Sequence, residues 1–435
     1  MSIDRRTLIG GLGALGVAAS IGGQGSSARA AAVNGVCLVP GYRTKRVFQH
    51  GRPLRRDGHA ARALSKGHDG PVTMVSRVVL GSEAPADRAL FPIKGHAITP
   101  NPAGPAALFV GMNDPTALTF DHGGLDMMAR ATPHAAGVVF GGHGVFTADG
   151  KTAFVTERVD PKAPFSGRPA DHFGWISVRD ANSLKVLDVY DCAGIAPHEL
   201  VLSADGRHLI IANYGATGWP AGRTAPVAHL PYGVEPSLTV IEVPSGRLAH
   251  KAVGRSRQNQ FRHLAGTDID HVGIVQARLS TLAEAQRGVR DRAIPYEPDT
   301  SEPHGLGYLP VPYVRFSATG AAAGLHETMP ASPVLFQRGQ SIEYDAAHDE
   351  MLVAVTSSNT VAVFSGQDGA LKKVIRADRL GLRRPRGIAF LADGAHYAVS
   401  GHWSGVYVFK RGSHALVREA CRYDLLFGHS HLAAL

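Results

Sequence analysis

Apolar and polar positions alternate along this 435-residue chain in short runs separated by glycine- and aspartate-containing turns, and one phrase keeps returning. It runs as a small or polar residue, usually a histidine next, an apolar stretch, a turn near Asp-Gly, and a β-rich run ending in small polar residues. In order the copies read KGHAITPNPAGPAALFVGMND, GGHGVFTADGKTAFVTERV, APHELVLSADGRHLIIANYG, FRHLAGTDIDHVGIVQARL, GQSIEYDAAHDEMLVAVTSSN and PRGIAFLADGAHYAVSGHW, with a truncated HSHLAAL at the C-terminus. Between copies lie further alternating segments, WISVRDANSLKVLDVYD, SLTVIEVPSGRLAHKAV and VAVFSGQDGALKKVIRA, each built around a turn of Gly, Asn or Asp, which is hairpin chemistry. Each unit thus predicts four antiparallel strands, the content of one propeller blade. The predicted fold is all-β: a single seven-bladed β-propeller over residues 31–435, closed by N- and C-terminal segments that share one blade. HSHLAAL supplies the inner strand of that blade, and VNGVCLVP and VTMVSRVVL are the strand candidates on the N-terminal side.

Two regions break the pattern. Residues 281–335, with TLAEAQRGVRDR and a proline-rich continuation, are predicted as an insertion, and residues 40–70 as a basic, irregular stretch. Residues 1–30 are set apart from the fold. Asp4-Arg5-Arg6-Thr7 precedes a weakly apolar run rich in Gly and Ala, then Ala28-Arg29-Ala30, the layout of a twin-arginine signal with a cleavage site. A periplasmic location is therefore expected, and no later stretch is long and apolar enough for a membrane span.

Composition narrows the picture further. Gly 51, Pro 27 and 7% aromatic residues suit many short strands and turns. The net charge of +9 is scattered and lacks an aromatic-interleaved basic stripe, which argues against nucleic acid as a partner. Cys37, Cys192 and Cys421 have no CxxC spacing, so covalent haem and a thiolate zinc site are disfavoured; a Cys37 to Cys421 disulfide is expected if the chain ends meet. No dinucleotide, phosphate-loop, zinc-protease or serine-nucleophile motif stands in a suitable context.

The candidate chemistry lies at the residue that opens each first strand, beside the central channel. In register these are His96, His143, His198, His263, Ser341, Gly387 and His431. Only 22 residues of 435 are histidine, so five at one register position is not chance. On a closed ring those five fall on consecutive units. Three readings follow: packing residues bonded to neighbouring strands, ligands to iron or copper, or contacts to a polar or anionic organic ligand. Glu157 and Glu199 are the nearest carboxylates and suit metal ligation, imidazole orientation or general-base work. Arg262 and Arg386 precede the opening positions and suit a carboxylate or phosphate. Asn213, Gln276 and His402 end second strands at the same mouth.

The phrases GGHGVFTADGKTAFVTE, IAPHELVLSADGRHLIIANYG, EPSLTVIEVPSGRL, FRHLA and QSIEYDAAHDEMLVAVTS, in that order, resemble a bacterial family of unknown function, the domain of unknown function numbered 1513. The likeness spans about residues 90–430. It rests on His143 to Phe146, on Pro197 to Leu200 and on Arg262 to Ala265. The resemblance implies a periplasmic propeller exported by the twin-arginine route and encoded beside imelysin-like, iron-regulated proteins, and so a part in metal acquisition with such partners. The expected function is transition-metal binding through the histidine arc. The alternatives are a propeller enzyme, lactonase-like or quinone-dependent, and an interaction scaffold.

Overall fold

Alternation along the chain becomes antiparallel pairing in the computed structural model. The structure describes residues 33, 35–43, 48–49, 52–53, 71–162, 169–215, 235–254, 259–278, 313–320, 323–327, 339–356, 358–401, 405–423 and 431–435. The expected signal, most of residues 40–70, the first part of the 281–335 stretch and His402 lie outside them. Among the described residues there is no α-helix, only short 3-10 turns such as Pro169–His172, and no helix long and apolar enough to cross a membrane.

The chain ends meet in one sheet. Strand Val36–Arg43 pairs with Ala433–Ala434 on one side and with Thr73–Val79 on the other, and Asp87–Phe91 completes the sheet. Two consecutive meanders follow. Gly95–Pro100, Ala106–Asp114, Ala117–Asp121 and Met127–Ala131 form the first; Val138–Phe146, Thr152–Val159, Phe173–Asp180 and Val186–Ile195 form the second. Phe140 and Gly141 pair with Asp114 and Met112, which joins the two meanders. The next sheets are Pro197–Leu202 to Leu248–Val253, then Asn259–Asp268 with His271–Arg278, Tyr313–Ser317 and Gly324–Glu327, then Gly339–Asp345 to Leu371–Arg376. The stretch 281–335 that interrupts the sequence pattern therefore contributes the two outer strands of its sheet. The last sheet holds Pro385–Phe390, His396–Gly401 and Val406–Lys410.

Apolar faces of successive sheets bury each other. Phe91 and Leu38 of the first sheet meet Phe109 and Phe120 of the second. Phe154 and Ile176 meet Leu209 and Ile211. Leu352 and Val363 meet Tyr397 and Phe409. Residues of the last sheet, Leu391, Val406 and Val408, in turn share a cluster with Cys37, Val39 and Val78 of the first. The expected disulfide is not formed: all three cysteines are buried free thiols, with Cys37 and Cys421 in different clusters. Burial pushes the Cys37 and Cys192 thiols up to about 12.

One irregularity recurs and sets up the site. Six first strands, from Gly95–Pro100 to Pro385–Phe390, carry an irregularity near their start, where an extra residue leaves the ladder and re-aims its side chain. His96 is skipped between the pairs Gly95 with Gly111 and Ala97 with Val110, and His198 between Pro197 with Asn213 and Glu199 with Ala212. Wider irregularities, Phe140 to Gly144 and Phe261 to Leu264, contain His143 and His263. In the next two sheets the skipped residues are Gln340 and Arg386. The sequence register that aligns Ser341 and Gly387 with the histidines is thus displaced by one, because the unpaired residue of a bulge breaks the period-2 count.

Candidate metal centre

The bulges turn four imidazoles onto one another, and His431, just ahead of strand Ala433–Ala434, joins them. Ring centroids lie 4.4 Å apart for His96 and His431, 4.5 Å for His143 and His198, 4.8 Å for His263 and His431, and 4.9 Å for His198 and His263. His96, His143, His198 and His263 are buried and His431 is half-buried. One ring nitrogen from each of His96, His143, His263 and His431 falls within 4.8 Å of the other three.

Glycines make this approach possible. Gly142 has φ +114, and a Cβ there would stand 2.8 Å from His96 Cδ2 and 3.3 Å from His198 Cε1. A Cβ on Gly387 would stand 2.5 Å from Leu432 N and 2.8 Å from the His431 carbonyl carbon, so the missing side chain there makes room for the C-terminal segment. Thr156 ties two units together: its Oγ1 lies 3.0 Å from the carbonyl oxygens of both His143 and His198 and accepts from His143 N at 3.3 Å.

The outward nitrogens are held by acceptors. His198 Nδ1 lies 2.8 Å from Gly141 O, which can only accept, so this ring donates there. Glu199 serves two rings: its carboxylate lies 3.2 Å from His143 Nδ1 and 2.9 Å from His263 Nδ1, and it accepts from Leu264 N at 3.0 Å. The Nε2 atoms of His143 and His263 are buried with no hydrogen-bond partner. His96 Nε2 stands 3.0 Å from His431 Nε2 and 3.3 Å from His198 Nε2. Orphaned buried nitrogens facing one another are what a cation between them would satisfy.

Electrostatics favour the neutral form of three rings. Burial above all, reinforced by neighbouring imidazoles, holds His198 and His431 well below the usual histidine range. His263 is lowered to about 4, again by burial, which outweighs the opposing pull of Glu199. Burial alone would raise the Glu199 carboxyl, but its interactions with the His143 and His263 rings, hydrogen bonds among them, prevail and hold it well below the usual range. An ion bound at 2.0–2.1 Å by imidazoles needs nitrogen separations of roughly 3.3 Å in a tetrahedron or roughly 4.2 Å across a square plane. The quartet's ligand atoms all lie within 4.8 Å of one another, so the nitrogen-only set fits a transition metal and, being oxygen-poor, does not fit calcium or magnesium.

The other sequence candidates divide. Arg262 hydrogen-bonds Gln260 Oε1 at 3.2 and 2.9 Å, and Arg386 is buried at its bulge. Gln276 accepts from Asn259 at 3.1 Å. Glu157 does not join the histidine cluster through any of its bonds: it is fully buried, pairs with Arg179 at 2.7 Å, and accepts from the His134 ring at 2.6 Å. Asn213 is likewise structural, donating to Ser237 and Thr239. The sequence reading missed Arg158, Tyr214 and Glu343. The Tyr214 ring packs 4.3 Å from His198, and burial together with the charge of Glu199 pushes the Glu343 carboxyl up to about 8. Arg158 and Tyr214 follow Glu157 and Asn213 directly in the sequence, so a search one residue further along each second strand would have found them.

Residues 89–289 match the family described as protein of unknown function (DUF1513). No curated protein matches the chain in sequence. Among solved structures, hydrazine synthase of Kuenenia stuttgartiensis is similar in fold, with TM-score 0.52 and 13% identity over 80% of this chain and 91% of that one. A functionally unknown protein from Desulfotomaculum acetoxidans matches at TM-score 0.47 and 13% identity, over 75% of this chain and 80% of that one.

Proposed function

Because residues 89–289 match a family without an assigned activity, the function has to come from the site, and we propose that this protein is a periplasmic metal-binding propeller. Its seven sheet units close into a ring through the shared terminal sheet, and the histidine centre holds one transition-metal ion, iron or copper, at the mouth of the channel. The observation that carries the reading is the pair of buried Nε2 atoms on His143 and His263 that lack any hydrogen-bond partner while Glu199 occupies both Nδ1 atoms. His96, His143, His263 and His431 would hold the ion, and His198 borders it. The chain's contribution is to keep the imidazoles preorganised and shielded from water. The metal would supply Lewis acidity or a redox couple when bound. Service in metal acquisition beside imelysin-like partners, after twin-arginine export, completes the proposal.

Elemental analysis of the protein recovered after export, with competition titrations by Cu(II) and Fe(II), tests it. One ion per chain is expected, with at least a hundredfold loss of affinity in a His143→Ala/His263→Ala double variant. Absence of stoichiometric metal, or an unchanged affinity in that variant, would remove the reading.

A further inference from the structure

Beside the histidines lies a group of cationic side chains that metal binding alone does not explain. Arg158, on strand Thr152–Val159, is only 4% exposed. One of its Nη atoms bonds the neutral Asn113 Oδ1, and its Nε is buried without a hydrogen-bond partner. Its guanidinium sits 5.5 Å from the centre of the Tyr214 ring, and that of Arg262 sits 5.7 Å from the same ring. That ring in turn packs 4.3 Å from His198. Burial lowers Arg158 to about 10, which still leaves it charged at neutral pH.

Asp160 acts on Arg158 without forming an ion pair with it, and the carboxylates nearest the histidines are engaged elsewhere. Glu157 serves Arg179 and His134, and Glu199 serves His143 and His263. Among the described residues no carboxylate within ion-pair distance joins Arg158 or Arg262; Arg262 hydrogen-bonds the amide oxygens of Gln260 and Gln340. Arg386, at its own bulge, adds a third cation whose charge acts on His431. A buried guanidinium without an anion is costly, and its planar donor fork matches a carboxylate or phosphate.

We propose that Arg158 and Arg262, stacked about Tyr214, form a cradle for the anionic group, a carboxylate or phosphate-type oxyanion, of the ligand that reaches the histidine centre. An anion held in the cradle supplies the counter-charge that these guanidinium groups lack and lies beside the histidine centre. The ion would then be taken up together with an anionic chelator. This last step rests on the metal-binding reading; the cradle itself does not.

Calorimetric titration of the full-length exported protein with citrate, and separately with inorganic phosphate, in metal-free and Cu(II)-loaded forms tests the cradle and distinguishes the two anion classes. Binding of at least one probe to the metal-free protein is expected, tighter by tenfold or more when the metal is present. Arg158→Gln and Arg262→Gln should each weaken it at least tenfold while leaving stoichiometric metal uptake and the thermal midpoint close to wild type. Arg262→Lys, which keeps the charge but not the fork, should fall between. Lack of binding of either probe to both forms, or equal binding by wild type and both glutamine variants, would overturn the cradle. Anion binding without any metal uptake would overturn co-capture and the metal reading while leaving the cradle standing.

Discussion

At His263 two influences oppose each other: burial disfavours the imidazolium and the adjacent Glu199 favours it, and burial prevails, leaving a pKa of about 4. The ring is therefore unprotonated from neutrality down to that pH, and protons compete with a metal for it only below. Glu199 thus acts by orienting His143 and His263 and raising their basicity as ligands. Glu199→Gln should lower metal affinity by about 10- to 100-fold. Removing the carboxylate takes away the influence that favours the protonated ring, so this deficit should be equally large at pH 6 and pH 8 in chelator-competition titrations. A deficit that shrinks at pH 6 relative to pH 8 would mean that Glu199 also acts through proton competition. The contrast with Glu157 is instructive at this scale. Both carboxylates follow the repeat pattern closely, yet Arg179 and His134, distant in sequence, claim Glu157, and nothing local distinguishes the two.

Bulges and glycines do at the level of the strand what hydrogen bonds do for single rings. Val138–Phe146 carries Gly141, Gly142 and His143 against Thr156, and the backbone of Gly142 passes between two imidazoles. Gly142→Ala should combine left-handed strain of about 1–3 kcal/mol with a clash against His96. The expected result is a lowered thermal midpoint together with weakened metal binding. Gly206→Ala is the control, since Gly206 has φ +70 but its Cβ would meet nothing within 4 Å; it should lose stability alone. Equal metal affinity in the two variants would argue against a tight ring cluster. The repeated phrase made the strands and their order legible, because period-2 alternation and Asp-Gly turns are local signals. The bulges were not legible, which is why Gln340 and Arg386, rather than Ser341 and Gly387, occupy the skipped positions.

Across the whole molecule, fold and site share the C-terminal segment. Ala433 and Ala434 pair with Leu38 and Cys37, Leu432 fills the cluster between the first and last sheets, and His431 enters the histidine centre. Deleting residues 431–435 should lower the calorimetric midpoint and remove metal binding together, whereas His431→Ala should impair binding and leave the midpoint nearly unchanged. A truncated protein that melts like wild type would refute this coupling. The sequence by itself determined the β class, the repeat, the pairing of the two chain ends and the five histidines at one register position, because each is written in periodic spacing. Only the tertiary structure decided that Glu199 rather than Glu157 supports those rings, that Asn213 and the cysteines belong to the core, and that Arg158 and Tyr214 border the centre. Those outcomes depend on which side chains from distant strands come within hydrogen-bond reach once the bulges have turned them, and spacing along a chain carries no record of that.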